Sequence, residues 1–143
     1  MKIKIISVGK IKDKGIFQLC SKYKDRIKRF TKLEEVVLKS GSNYSENEKI
    51  VNHLKHSKGL HFALSEDGNS FNSNDFANKL SSIIGQLSFV IGGTEGLNEE
   101  VKANCDEIIS LSSMTFTHEM AQLFLLEQVY RAFTIKQNIK YHK

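Results

Sequence analysis

The apolar positions of this chain change period as it proceeds, and the changes divide it into alternating extended and helical segments. Lys2 to Val8 alternates with period two and stops at Gly9, the pattern of a first strand. From about Lys14 to Phe30, the apolar residues Ile16, Leu19, Tyr23, Ile27 and Phe30 recur at three- and four-residue spacing with basic residues between them, which predicts an amphipathic helix. Glu35 to Lys39 reads as a second short strand, Gly41 to Asn47 as a polar loop, and Glu48 to His56 as a helix through Ile50, Val51 and Leu54. Leu60 to Leu64 is a third strand, closed by the turn signal Glu66-Asp67-Gly68-Asn69. Ser73 or Asn74 then caps a helix whose apolar face is Phe76, Ala77, Leu80, Ile83 and Ile84, and Gly85 ends it.

Leu87 to Ile91 is a near-continuous apolar run, the signature of a strand covered on both faces, and it belongs at the centre of a sheet. Gly92-Gly93-Thr94-Glu95-Gly96 follows at once, and Asn98 caps a short helix through Val101. Glu107 to Leu111 supplies a fifth strand, and a last helix runs from about Thr117 to near Asn138. This alternation predicts an α/β fold with a parallel sheet and helices on both sides. Ligands bind such sheets beyond the carboxyl ends of the strands, so the loop after Leu64, the Gly92–Gly96 loop and the Leu111–Thr117 loop are expected to converge.

A chain of 143 residues makes one domain, residues 1–143, that buries on the order of 70% of its unfolded surface. The hydrophobic share of 40% and charged share of 26% are those of a soluble folded protein. No stretch resembles a signal peptide or approaches the roughly 20 apolar residues of a membrane span, so a cytoplasmic protein without membrane contact is expected. Cys20 and Cys105 are far apart and match no ligand spacing; they read as reduced residues, and no metal is expected.

Charge adds what the apolar pattern lacks. Residues 1–39 hold 12 Lys and Arg against 4 Asp and Glu, whereas the remainder holds 9 against 12. Lys22, Lys24, Arg26, Lys28, Arg29 and Lys32 make a basic lobe suited to a polyanion such as RNA, and equally to a solvated helix face.

The most unusual combination of residues lies between Leu111 and Arg131. Ser112, Ser113, Thr115, Thr117 and His118 crowd the entrance of a largely apolar helix, and Gln122, Glu127, Gln128 and Arg131 interrupt its length. Buried polar groups cost free energy unless they are paired or used. The glycine loop is neither a dinucleotide fingerprint nor a phosphate-gripping loop, and it reads either as a tight connection or as bare backbone that a flat ligand can approach. No Gly-x-Ser-x-Gly elbow is present, and His53, His56 and His61 match no metal pattern. His118, in the first turn of the last helix, is either an acceptor of a proton or hydrogen bond kept neutral by the macrodipole, or a capping or core residue. Glu127 and Arg131 have the spacing of a helical ion pair.

Four ordered motifs, taken together, resemble one known family. They are Phe89-Val90-Ile91-Gly92-Gly93-x-x-Gly96-Leu97, Leu111-Ser112-x-Met114-Thr115-Phe116-x-His118, Leu126-Glu127-Gln128-x-Tyr130-Arg131-Ala132 and the terminal Tyr141-His142-Lys143. They look like the ribosomal RNA large subunit methyltransferase H family, within the SPOUT class, over essentially the whole chain. The resemblance implies a C-terminal deep trefoil knot, S-adenosylmethionine as cofactor, a homodimer, and methylation of N3 of a pseudouridine in large-subunit rRNA of the assembled ribosome. It places Leu64, Gly92, Leu111, Ser112, Ser113, Met114, Thr115 and Phe116 at the cofactor, and His118, Arg131, Tyr141 and His142 on the catalytic, RNA-facing side. His118 and His142 are the candidate bases. The chain departs from the family at Gln122, where arginine is usual, and at Lys140, where proline is common. A non-catalytic ribosome- or RNA-binding protein with the same fold is the first alternative, and a flavodoxin-like nucleotide or redox module the second.

Overall fold

Five strands and five helices alternate in the computed structural model, which describes residues 1–143. In order they are β1 (Lys2–Val8), α1 (Lys14–Ile27), β2 (Lys32–Leu38), α2 (Asn43–Lys55) and β3 (Leu60–Ser70), then α3 (Ser73–Ser81), β4 (Gln86–Val90), α4 (Glu99–Ala103), β5 (Glu107–Ser110) and α5 (His118–Lys136). The sheet order is β2-β1-β4-β3-β5, and every strand pairing is parallel. The expected parallel α/β sheet is present, with the continuous apolar run of β4 at its centre. No helix is long and apolar enough to cross a membrane.

Strand alternation sends side chains to two different layers. Ile3, Ile5, Leu87 and Phe89 join the larger core of 17 buried residues beneath α1, α3 and α5. Ile6, Val8 and Val90 point the other way into a core of 7, with Ile50, Val51 and Leu54 of α2 and Val101 of α4. The last helix is apolar nearly all round because it is enclosed: Leu125, Leu126 and Val129 are fully buried. Burying each such side chain stabilises the fold by about 1.5–3 kcal/mol. Just beyond the end of α1, Phe30 stacks on Phe133 of α5 with ring centroids 5.4 Å apart.

Several boundaries differ from the sequence expectation, each for a physical reason. The first helix ends at Ile27, short of Phe30, and β2 starts at Lys32 because it pairs with β1 along its whole length, from Lys2 beside Lys32 to Val8 beside Leu38. The segment expected to be a loop from Gly41 to Asn47 contains the first turn of α2. Its polar residues are an end-cap, with Ser42 Oγ accepting from Ser45 N at 3.1 Å. The turn expected after Leu64 is a bulge inside β3: Leu64 and Asn69 both pair with Ile109, and the residues between them loop out. Asn72, rather than Ser73 or Asn74, caps α3, which stops at Ser81. Ile84 therefore lies off the helix and is 97% exposed. Of the sheet's two outer strands, β5 has four residues, and β2 carries Lys32, Glu34 and Glu35, with Glu34 paired to Lys2 at 2.7 Å.

Candidate active site

Parallel pairing puts the carboxyl ends of all strands on one side, and β4, β3 and β5 are neighbours there. The three loops named from the sequence do converge. Together they enclose a cleft of about 220 Å³ whose walls come from Leu64–Glu66, Ile91–Gly96 and the Leu111–Phe116 segment, with His118 and Ala121 of α5 at one side. Seven of the eight expected cofactor residues line it: Leu64, Gly92, Leu111, Ser112, Met114, Thr115 and Phe116. Ser113 does not.

Each wall is shaped by local chemistry. Gly96 sits at φ +77°, a conformation that side chains resist, and its N–H donates to the Gly93 carbonyl at 3.0 Å, closing the glycine loop. A Cβ on Gly92 would stand 2.7 Å from the Gly96 carbonyl carbon, so this position has no room for a side chain. In the third loop, Ser110 Oγ donates to the Ser112 carbonyl at 2.7 Å and Ser112 Oγ accepts from Met114 N at 3.0 Å. Thr117 Oγ1 then caps α5 by accepting from Met120 N at 3.3 Å. The entrance hydroxyls thus hold the turn that the opening of this helix requires. On β3 the bulge brings Ser65 and Glu66 into the cleft wall, a contribution hidden in the sequence by the turn signal.

His118 is the one expected catalytic residue in this cleft. Its neighbour Glu119 accepts from Lys12 N at 3.0 Å and Asp13 N at 3.2 Å, tying the first turn of α5 to the entry of the basic helix α1. Arg131, Tyr141 and His142 gather elsewhere. Arg131 forks onto Glu127, with Nε 2.7 Å from Oε1, and faces His142 Nδ1 at 3.0 Å. The Glu127 hydrogen bond raises the Arg131 pKa above its usual range, so the guanidinium stays charged. Tyr141 lies beneath that guanidinium, 4.9 Å from it to the ring centroid, and its hydroxyl meets Tyr23 Oη at 3.3 Å. Burial, and then the Tyr23 hydrogen bond, push the Tyr141 hydroxyl well above its ordinary pKa. Arg26 of the basic helix lies over both Tyr23 and Tyr130, at 5.5 and 5.3 Å, so the lobe and the tail share one aromatic cluster.

Sequence reasoning missed a second, larger cleft of about 530 Å³ that shares Leu111 and Phe116 with the first. Phe71, Phe76 and Phe124 line it, with Ser73 donating to Gln128 Oε1 at 2.7 Å along its edge. Gln122 lines neither cleft and is only 5% exposed, so its departure from the family pattern falls in a buried position of α5. No group of three or more His, Cys, Asp or Glu side chains is placed to hold a metal ion. Burial pushes the Cys105 thiol up to about 11, which leaves little thiolate for redox chemistry.

A family model described as predicted SPOUT methyltransferase matches residues 1–142. The chain belongs to that family. Proteins named ribosomal RNA large subunit methyltransferase H are similar along their whole length. The one from Dictyoglomus thermophilum is 39% identical and that from Caldicellulosiruptor saccharolyticus 35%, each with 99% of both chains covered. The Clostridioides difficile relative is 37% identical with both chains covered fully. Among solved structures, a probable methylase family protein from Haemophilus influenzae superposes with a TM-score of 0.64. At 15% identity, over 99% of this chain and 70% of the other, it shows a shared fold.

Proposed function

We propose that this protein is an S-adenosylmethionine-dependent methyltransferase that modifies N3 of a pseudouridine in large-subunit ribosomal RNA of the assembled ribosome. The observation that carries the reading is the convergence of three strand-end loops on one cleft whose lining fits that cofactor. Leu64, Leu111 and Phe116 offer apolar surface for a flat adenine, and the glycine loop offers approachable backbone. Glu66 and Glu95 bring negative charge to the wall, suited to a ligand bearing an ammonium and a sulfonium. When bound, S-adenosylmethionine supplies a methyl group already activated by its positive sulfur.

The protein's share of the chemistry is then placement and proton removal. Holding the ring nitrogen in line and about 3 Å from the methyl supplies much of the acceleration. N3 of a uracil-type ring must also lose its proton. His118, in the cleft wall, is the better placed of the two candidate bases. Arginine has only donors, so the Arg131–His142 contact uses the lone pair of Nδ1, and a neutral His142 presents an N–H outward. His142 thus serves as a hydrogen-bond donor to RNA, alongside Arg131 and Tyr141.

The reading carries the rest of the resemblance with it: a single SPOUT domain over residues 1–143, a C-terminal trefoil knot, a cytoplasmic location and a homodimer. The basic lobe at and beyond the end of α1 supports an RNA substrate, whose phosphates it would neutralise through its exposed members, Lys24 being buried against Glu35. Transfer of labelled methyl from S-adenosylmethionine to intact ribosomes, compared with free subunits, tests the whole. Ribosome-dependent labelling is expected. Salt-sensitive ribosome binding with no transfer would favour the non-catalytic alternative instead.

A further inference from the structure

The glycine loop does not hold its own shape. Its turn is closed by a single internal hydrogen bond from Gly96 N to the Gly93 carbonyl, and the remaining support arrives from the opposite layer of the fold. Three side chains in the opening turn of α2 provide it. Asn43 Nδ2 donates to the Gly96 carbonyl at 3.2 Å. Asn47 Oδ1 accepts from Asn98 N at 2.9 Å, at the residue where the loop passes into α4. Glu46 lies so close to Gly93 that a Cβ there would stand 2.4 Å from its carboxylate.

These residues stand at helical positions i, i+3 and i+4, which share one face. That face is buried: Asn47 is 1% and Glu46 8% exposed. Each side chain is itself fixed. Asn47 Nδ2 donates to the Asn43 carbonyl at 2.7 Å, which settles the orientation of the amide and aims its oxygen at Asn98. Glu46 Oε2 accepts from Gly41 N at 3.0 Å, which anchors the carboxylate to the chain entering α2. None of the three side chains lines the cleft. Buried polar side chains are costly unless paired, and these are paired to the backbone of one loop.

We propose that the opening turn of α2 is the bracket that sets the cofactor loop, with Asn43, Glu46 and Asn47 acting as positioning residues for the methyl donor. The inference rests on reading the cleft as the S-adenosylmethionine site. It assigns to a segment that the sequence presents as a plain polar loop the task of fixing where Gly92 to Gly96 meets the ligand. Placement errors on the scale of an ångström carry large penalties in such sites.

Asn43→Asp separates positioning from folding. A carboxylate at the first position of a helix is favoured by the helix dipole, so α2 is retained. Yet the donor to the Gly96 carbonyl is lost, and an acceptor now opposes it. Calorimetric binding of S-adenosylhomocysteine is expected to weaken roughly five- to tenfold in this variant, the loss typical of one hydrogen bond. Its Tm should stay close to that of the unsubstituted protein, while amide hydrogen exchange quickens at Gly96 to Asn98 and not in the β1 or β4 amides. Asn47→Ala should weaken binding further with the same localised exchange, and Tyr44→Ala, on an exposed side chain of the same turn, should change neither. Affinity of Asn43→Asp within twofold of the unsubstituted protein, or quickened exchange spread evenly over the sheet, overturns the bracket. If the unsubstituted protein itself fails to bind S-adenosylhomocysteine, the cofactor reading falls and the bracket with it.

Discussion

Arg131 reaches two partners at once, forking onto Glu127 of its own helix and donating to His142 Nδ1 at 3.0 Å near the end of the chain. The residue therefore joins a helical ion pair to the terminal segment, whose Tyr141 is also held by Tyr23 and by the Tyr130 ring. Arg131→Ala should release His142 and loosen Tyr141, which keeps its contacts to Tyr23 and Tyr130. We expect kcat for methyl transfer to fall on the order of 100-fold, the scale of a misplaced catalytic group. The dissociation constant for S-adenosylhomocysteine should stay within about threefold, because Arg131 lies outside the cleft proposed to hold the cofactor. Arg131→Lys should not restore the rate, since an ammonium cannot reproduce the planar fork. Single-turnover kinetics beside calorimetry would separate the two effects.

The glycine loop makes a different prediction. In Gly92→Ala the new methyl would lie 2.7 Å from backbone of Gly96, which cannot swing aside as a flexible side chain can. Overpacking of this kind costs about 1–3 kcal/mol. A chain of this length should then lose roughly 3–10 °C in Tm. Cofactor binding should weaken by more than tenfold, because the distortion falls on the cleft wall. Near-normal affinity in a folded Gly92→Ala protein would show that the loop does not touch the ligand.

Acid sensitivity should arise on the far layer of the sheet. Burial, and after it the Lys4 ammonium, lower the pKa of His53 below its ordinary 6.5. Lys4 Nζ stands 3.3 Å from His53 Nε2 and donates to Ser57 Oγ at 2.8 Å, while Glu34 acts in the opposite sense. A lowered folded-state pKa means the unfolded chain binds the proton more readily. The stabilisation is thus present above the unfolded value and lost as pH falls below about 6.5. Urea titrations from about pH 8 to about pH 5.5 should show His53→Gln losing less stability on acidification than the unsubstituted protein.

Two apolar residues that look alike in sequence should behave oppositely. Leu125 is fully buried and Ile84 is 97% exposed. Leu125→Ala should cost about 2–5 kcal/mol in chemical denaturation, and Ile84→Ala less than about 0.5 kcal/mol.

Ile84 also marks where sequence reasoning stops. Periodicity located all ten elements and put the Leu87 run at the sheet centre, because alternation and apolar continuity report directly on burial. It misjudged Ile84, Gly41 to Asn47 and Glu66 to Asn69, where the same residue types serve two purposes. Ser42 and Asn43 cap and open a helix as readily as they form a loop, and Gly68 serves a bulge as readily as a turn. The cleft was legible because strand-end loops of a parallel sheet must meet. The gathering of Tyr23 and Arg26 with Arg131 and Tyr141 was not, since it depends on how two helices distant in sequence pack. Glu46 and Asn47 were hidden for the same reason.

The sheet's two outer strands bear on how the protein behaves when crowded. An exposed strand edge offers unpaired backbone groups to any other chain, and proteins guard such edges with shortness or charge. Here β5 has only four residues, and β2 interrupts its run with Lys32, Glu34 and Glu35. An incoming strand finds too little length at one edge and, at the other, charged side chains on both faces of β2. The same residues that end the sheet should therefore suppress fibrillar self-association, and neutralising Lys32, Glu34 and Glu35 together is the change that would remove this protection at the β2 edge.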